Sequence, residues 1–170
     1  RQFRARTTGP RGGQGLFVVG PYEGQLSARG ETIELADQNG RLINFWTYAA
    51  NPSPAQQYLR VTEIMYNPAP LNGSPTDPQT FEYIKLKNIG TSAVVNLTGV
   101  RFTNGIAFDF TGSAVTNLAP GQTVLVVPST NAFAARYGGG FSIAGEYGGS
   151  LDNGGERLRL IDALGEEILD

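Results

Sequence analysis

The sequence predicts an all-β sandwich with one short helix, together with part of a preceding repeat of the same kind. Three observations support this fold class. Glycine (23 residues) and proline (10 residues) are frequent and charged residues make up only 16% of the chain, which favours short strands joined by turns. Short apolar segments alternate with polar residues along much of the chain. One segment of the sequence occurs twice.

Composition narrows the possible classes of function. The chain has no cysteine and no histidine, which excludes disulfides, thiol catalysis and the usual Ser-His-Asp and zinc sites. The formal net charge is −2, so we expect no nucleic-acid partner. No apolar segment approaches the roughly 20 residues of a membrane span. The sequence therefore gives no reason to expect a cofactor, a metal ion or a transmembrane segment.

The internal repeat organises the chain. Residues 20–43 match residues 145–168 without a gap, at the offset of 125 that separates Tyr22 from Tyr147. Residues 3–6 also resemble residues 133–136, so each copy is expected to begin with a short helix. The other matched residues of the first copy are Gly24, Leu26, Gly30, Glu31, Leu35, Asp37, Gly40 and Ile43.

This repeat predicts the domain organisation. Residues 1–48 are expected to be the C-terminal part of one repeat, residues 49–59 an extended proline-containing linker, and residues 60–170 a second repeat. In the first copy an aromatic segment, 44–48, follows the matched residues. The second repeat is therefore expected to lack its last strand, since most of the counterpart of 44–48 would follow Asp170. We hypothesise that 44–48 fills this gap, either within the chain or in a strand-swapped homodimer.

Alternation and turn signals predict the strands of the second repeat. Segment 81–87 alternates between apolar and charged residues, as a half-buried strand does. Gly99 separates two short strands, and the turn at 119–121 precedes an apolar strand. The predicted strands are 61–66, 81–87, 94–97, 100–103, 107–110, 123–127, 158–161 and 167–169, the last two forming a hairpin.

One short helix is predicted at 131–137. Ser129 or Thr130 can accept a hydrogen bond from the free N–H groups of its first turn. Gly138 can adopt the left-handed conformation that ends many helices.

Several segments together resemble the bacterial lamin tail domain. They occur in the family's order and cover most of 60–170, while residues 1–48 resemble the C-terminal portion of the same family. The segments are 61–68 (VTEIMYNP), 81–88 (FEYIKLKN), 95–102 (VNLTGVRF), 118–121 (LAPG) and 149–156 (GSLDNGGE).

The resemblance implies an immunoglobulin-like β-sandwich without catalytic activity of its own. It also implies a large exported bacterial parent protein, and so an extracellular or cell-surface location. Such domains occur there beside spore-coat-H-type kinase domains, nucleases or other hydrolases. In animal lamins the domain is a docking surface.

Two groups of polar residues could carry chemistry, and for each a structural role is preferred. Glu63 and Glu82 lie near the starts of two strands expected to be adjacent, and paired carboxylates can perform general acid and base catalysis. No histidine, cysteine or basic partner accompanies them. Asp152, Asn153 and Glu156 could ligate calcium, but three ligands in one turn are too few and the first copy does not keep the complete set. Asn153 before a glycine favours a tight turn.

Three residues are the candidates for an interaction surface. Trp46 and Tyr48, with Phe45, could form an exposed aromatic platform for a sugar or a protein. The alternative is that they belong to a sandwich core, which is favoured for Phe45, whereas Trp46 alternates to the other face. Asp77 lies in a long proline-rich loop, 68–78, of the kind that often carries binding residues.

These observations favour a non-catalytic structural or interaction module that docks protein or glycan partners or acts as a spacer. The alternative is an accessory domain that holds polysaccharide or DNA for a neighbouring hydrolase or nuclease. A catalytic domain using Glu63 and Glu82 is the third and least supported hypothesis.

Overall fold

Two four-stranded sheets form a sandwich in the computed structural model, which describes residues 21–73 and 75–170. The strands are β1 (Glu31–Ala36), β2 (Leu42–Tyr48), β3 (Leu59–Met65), β4 (Tyr83–Asn88), β5 (Val95–Asn96), β6 (Arg101–Asn104), β7 (Phe108–Asp109), β8 (Asn117–Leu118), β9 (Thr123–Val127), β10 (Ile143–Glu146), β11 (Arg159–Ile161) and β12 (Glu167–Leu169). The first sheet has the order β10-β9-β4-β3, and the second has the order β12-β11-β6-β7. Strands β5 and β8 form a two-stranded sheet, as do β1 and β2. This architecture confirms the predicted all-β sandwich.

The main core lies between the two four-stranded sheets. Within the first sheet, β4 pairs antiparallel with both β3 and β9, so that Leu86 lies opposite Val124. Within the second, β11 pairs antiparallel with β6, which brings Leu160 opposite Phe102. These side chains are buried and pack in one apolar cluster. Burial of each contributes about 1.5–3 kcal/mol to folding.

A helix covers the other face of the first sheet. Helix α2 (Thr130–Tyr137) begins after Ser129, whose hydroxyl accepts a hydrogen bond from the Ala132 N–H, and it ends at Gly138, which has a φ of 83°. Phe133 packs edge-on against Tyr83, with ring centroids 5.6 Å apart. The first sheet is thus apolar on both faces, which explains why four of the five residues of β9 are buried. The predicted helix and its two caps are confirmed.

The segment before β3 is not extended throughout, contrary to the sequence-based expectation for 49–59. Helix α1 (Pro54–Tyr58) lies there, with proline in its first turn and a capping box. Ser53 Oγ accepts from the Gln56 N–H (3.3 Å), and Gln56 Oε1 accepts from the Ser53 N–H (2.8 Å). The two bonds satisfy N–H groups that an uncapped helix start would leave free.

Further elements differ from the expectations. Strand β4 starts at Tyr83 because a 3-10 helix (Pro78–Phe81) occupies the residues before Glu82. Strands β8 and β10 were not predicted, and β10 pairs with β9 in parallel. The helix expected at 3–6 lies outside the residues that the structure describes.

Candidate functional site

The hairpin of β1 and β2 carries two of the three candidate interaction residues, Trp46 and Tyr48. The strands pair antiparallel, with Ile33 opposite Trp46 and Glu31 opposite Tyr48. Residues 44–48 therefore belong to β2 and pair with β1. Neither strand of this hairpin pairs with β11 or β12. The hypothesis that 44–48 fills a gap beside β11 and β12 within the chain is wrong.

The two faces of the hairpin differ from the sequence-based expectation. Residues directly opposite in an antiparallel pair project to the same side. Trp46 and Tyr48 thus share a face with Ile33, whereas Phe45 lies on the face where the Thr32 and Thr47 hydroxyls meet at 2.7 Å. Phe45, expected in a core, is 59% exposed, and Trp46 is 72% exposed.

Tyr48 fixes the loop that precedes β1. Its hydroxyl lies 2.9 Å from the Ser27 carbonyl oxygen and 2.8 Å from Glu31 Oε1. Partial burial and the neighbouring Glu31 carboxylate raise the pKa of Tyr48 to about 12. The phenol is therefore a proton donor at neutral pH, and it holds the loop against the hairpin.

The hairpin of β11 and β12 repeats the geometry of the hairpin of β1 and β2. Asp37 accepts hydrogen bonds from the Asn39 and Arg41 N–H groups at 2.8 and 2.9 Å. Asp162, its counterpart at the offset of 125, accepts from the Leu164 and Glu166 N–H groups, both at 2.9 Å. The irregularity in strand pairing also recurs, between residues 35 and 36 in one hairpin and between 160 and 161 in the other. The sequence repeat is therefore a repeat of local structure.

The loop before each hairpin is repeated as well. Glu31 Oε1 accepts from the Ser27 N–H at 3.3 Å, and Glu156 Oε1 accepts from the Asp152 N–H at 2.9 Å. Asp152 Oδ1 also accepts from the Gly154 N–H at 2.7 Å. These carboxylate oxygens hold a turn together, which is the structural role preferred for this loop over calcium ligation.

The two copies differ in what covers them. In the second copy, Leu160 is 0% exposed and Ile168 is 3% exposed, because both lie in the core of the sandwich. Their counterparts in the first copy, Leu35 and Ile43, are 59% and 63% exposed. The face of β1 and β2 that bears Leu35, Ile43 and Trp46 is here called the hairpin face. Its residues are apolar as in a core, and no described residue covers them as the sandwich covers Leu160.

Glu166 joins the first hairpin to the sandwich. Its carboxylate lies in the turn between β11 and β12 and accepts from the Ala28 N–H at 2.8 Å and from Gln56 Nε2 at 3.0 Å. Arg29 Nη2 donates to the Ile168 carbonyl oxygen at 3.1 Å beside it. Glu166 was not predicted as a functional residue. A signal was present, since the counterpart of this residue in the first copy is Arg41, a change of charge within an otherwise similar turn.

The third candidate, Asp77, belongs to a different element. Its carboxylate accepts from the Gln79 N–H at 3.0 Å and caps the 3-10 helix (Pro78–Phe81). Thr80 Oγ1 donates to the Asp77 carbonyl oxygen at 2.7 Å. Asp77 thus has a local structural role, and the structure does not place it on the hairpin face.

Glu63 and Glu82 do not form a carboxylate pair with a shared environment. Glu63 is bonded to Tyr83 and Lys85 at the sheet surface, and these bonds lower its pKa, the Lys85 contact most strongly. Glu82 is 0% exposed, and its Oε2 accepts from the Tyr147 hydroxyl (3.0 Å) and the Leu151 N–H (2.9 Å). Burial raises the pKa of Glu82, although these two bonds oppose the rise.

Two kinds of feature are absent from residues 21–73 and 75–170. No group of three or more acidic side chains there is placed to hold a metal ion. No helix in that part of the chain is long and apolar enough to cross a membrane.

Comparison with known proteins identifies the family. The model of the Lamin Tail Domain matches residues 52–170, which include α1 and both four-stranded sheets. No curated protein and no solved structure matches the chain. The matched family consists of immunoglobulin-like, non-enzymatic domains, in agreement with the sandwich described above. The chain therefore belongs to the lamin tail domain family.

Proposed function

We propose that the chain is a non-catalytic spacing and docking module from a tandem array of lamin-tail-like repeats. Residues 1–48 complete a preceding repeat, residues 49–59 connect the two, and residues 60–170 form the next repeat. The observation that carries the proposal is the hairpin face. It repeats the geometry of a hairpin whose apolar side chains are core, yet its own apolar side chains are exposed.

The second copy indicates which kind of element would cover the hairpin face. There, β11 pairs with β6, and Phe102 lies against Leu160. A preceding repeat would supply a strand equivalent to β6 along the free edge of β1, with apolar side chains over Leu35 and Ile43. Contiguous exposed apolar surface on a soluble protein commonly marks such an interface.

Fixed spacing is the second part of the proposal. The Glu166 carboxylate accepts hydrogen bonds from both the loop before β1 and helix α1. Hydrogen bonds to charged groups contribute about 1.5–3 kcal/mol. The hairpin and the sandwich are thus joined by more than a flexible linker, and successive repeats would keep a constant orientation.

We further propose that the parent protein is exported and acts outside the cell or at its surface, with protein or glycan partners. Support comes from the family, since the resemblance to bacterial lamin tail domains implies an exported parent protein. The exposed Trp46 is suited to stacking on a sugar. Retention of a polysaccharide through Trp46 would favour the accessory substrate-binding alternative.

Glu166→Ala should loosen the orientation of the hairpin relative to the sandwich. The chain has no cysteine, so spin labels can be attached at Asn39→Cys in the hairpin turn and Gly139→Cys beyond α2. The distance distribution between the labels should be narrow in the parent chain and clearly broader in the Glu166→Ala variant.

Glu34→Ala is the matched control for this measurement. Glu34 is an exposed acidic residue of β1 on the side opposite the hairpin face, paired with Phe45. Its replacement should leave the distribution narrow. If the distance distributions of the Glu166→Ala variant and the parent chain were equally wide, Glu166 would not fix the spacing.

The 170-residue chain should also self-associate through the hairpin face, because a second copy can cover apolar side chains that are otherwise exposed. Trp46→Asp should give a monomer by light scattering at concentrations where the parent chain is dimeric. Phe45→Asp, which places the same charge on the opposite face, should remain dimeric. A parent chain that is monomeric at every concentration would refute the homodimer.

A further inference from the structure

A cleft at the open side of the sandwich lies beside residues whose counterparts in the first hairpin are paired with aromatic residues. The cleft has a volume of about 320 Å³ and lies between Ile64 and Tyr66, at the end of β3, and Leu151, Glu156 and Leu158 on the opposite side. Ile64 and Tyr66 are 43% and 49% exposed. In the first hairpin the counterparts of Glu156 and Leu158 are Glu31 and Ile33, which are paired with Tyr48 and Trp46.

The strands beside the cleft are shorter than their counterparts. Strand β1 begins at Glu31, whereas β11 begins only at Arg159, the counterpart of Glu34. Strand β2 has 7 residues, and β12 has 3. Residues 156–158 thus have the sequence position of a strand but not its pairing. A partner strand on this side would extend β11 back to Glu156.

The cleft also keeps the acceptors that bind the tyrosine hydroxyl in the first hairpin. Tyr48 reaches the Ser27 carbonyl oxygen and Glu31 Oε1. The equivalent atoms are the Asp152 carbonyl oxygen and Glu156 Oε1. Each carbonyl accepts one bond within its own turn, from Gly30 at 3.2 Å and from Gly155 at 3.1 Å. A carbonyl oxygen has two lone pairs, so Asp152 can accept a second bond, as Ser27 does.

We propose that this cleft is a strand-acceptor site that seats two aromatic side chains of an extended segment running on in line from β12. The segment pairs antiparallel with residues 156–158. Its first aromatic residue takes the place that Trp46 has beside Ile33 and lies against Leu158 and Ile64. Its second is a tyrosine, whose hydroxyl donates to the Asp152 carbonyl oxygen or to Glu156. The inference rests on the proposed repeat organisation.

The geometry favours a segment that is covalently continuous with β12 over a separate peptide. In the first hairpin the two aromatic residues follow Asn44, the counterpart of Leu169, on one uninterrupted strand. Leu169 is already paired with Leu160, so an in-line segment meets residues 156–158 in the correct register without further ordering. A separate peptide would lose translational freedom on binding, which weakens the association.

The test compares three chains of equal length. The chain is extended after Asp170 by Trp-Thr-Tyr, which copies residues 46–48, by Ser-Thr-Ser, or by Trp-Thr-Phe. The Trp-Thr-Tyr extension should raise the melting temperature by roughly 5 °C over the Ser-Thr-Ser extension, because it buries apolar surface in the cleft. It should also slow amide hydrogen exchange at Arg157 and Leu158. The Trp-Thr-Phe extension should raise the melting temperature by less, because it lacks the tyrosine hydroxyl.

Equal melting temperatures and equal exchange for Trp-Thr-Tyr and Ser-Thr-Ser would overturn the site. A free Asn-Phe-Trp-Thr-Tyr peptide that protects Arg157 and Leu158 of the unextended chain at micromolar concentration would overturn the in-line source in favour of a separate chain. Neither readout depends on Glu166. Failure of the strand-acceptor site is therefore distinguishable from failure of the spacing function, which the spin-label distances measure.

Discussion

Leu160→Ala should lower the free energy of unfolding by about 2–5 kcal/mol. Leu160 is fully buried between the sheets, and it lies opposite Phe102 on one side and Leu169 on the other. Its truncation leaves a cavity that the surrounding β-strands can close only in part. Urea unfolding followed by far-ultraviolet circular dichroism measures the loss as a lower midpoint at an unchanged slope.

Leu35→Ala is the matched control, because Leu35 occupies the same position of the first hairpin and differs only in its surroundings. With 59% of the residue exposed, its truncation should change the stability of the 170-residue chain by less than about 0.5 kcal/mol. The comparison is made at protein concentrations where the chain is monomeric. Comparable losses for the two variants there would mean that another part of the same chain covers the hairpin face, and would contradict its description as unpartnered.

Glu82→Ala should lower the free energy of unfolding by about 2–5 kcal/mol. The variant leaves the Tyr147 hydroxyl and the Leu151 N–H without their buried acceptor, and each unsatisfied group costs about 1–3 kcal/mol. Glu63→Ala, on the neighbouring strand, is the control. Its surface contacts with Lys85 and Tyr83 should make it cost about 1 kcal/mol or less. Chemical denaturation of both variants at neutral pH measures the two losses in the free energy of unfolding.

The pH dependence of Glu82→Gln provides an independent check on the same carboxyl group. Burial raises the pKa of Glu82 above the ordinary 4.5, so the folded chain holds this proton more tightly than the unfolded chain. Its contribution to stability is therefore largest below pH 4.5 and is lost as the pH rises through the folded pKa. The stability of the parent chain relative to Glu82→Gln should fall over that window. A constant or rising difference would show that the pKa is not raised.

The sequence predicts those parts of the fold that depend on local signals. Helix α2 has a serine cap and a closing glycine, and β9 is a continuous apolar segment, so both were predicted close to their observed bounds. Helix α1 also has a local signal, since Ser53 and Gln56 form a capping box around Pro54. It was missed because two prolines in a short segment were interpreted as an extended linker.

Other features depend on tertiary contacts that one sequence does not reveal. Strands β8 and β10 are short, and β10 is defined by parallel pairing with a distant strand. The face occupied by Trp46 could not be derived by counting alternation, because the irregularity next to Leu35 shifts the register of β2 by one residue. A register shift of one residue moves each side chain to the other face.

The candidate site was predicted in part for the same reason. Trp46 and Tyr48 were chosen as members of one aromatic segment, and the structure places them on one face. Their role as an interaction surface stays a prediction. Glu166 was missed because its importance comes from Ala28 and Gln56, which are more than 100 residues away. Asp77 was chosen from loop composition alone, and its carboxylate caps a turn of helix instead.

The junction residue Glu166 has a consequence for how an array of such repeats could be assembled. Its counterpart, Arg41, carries the opposite charge, so a junction built on Arg41 would need acceptors where the junction at Glu166 needs the Ala28 and Gln56 donors. Repeats with the same fold would then not be interchangeable neighbours. Single charges at the turns would then determine which repeat can follow which, because a changed order would leave these charges without their hydrogen-bonding partners.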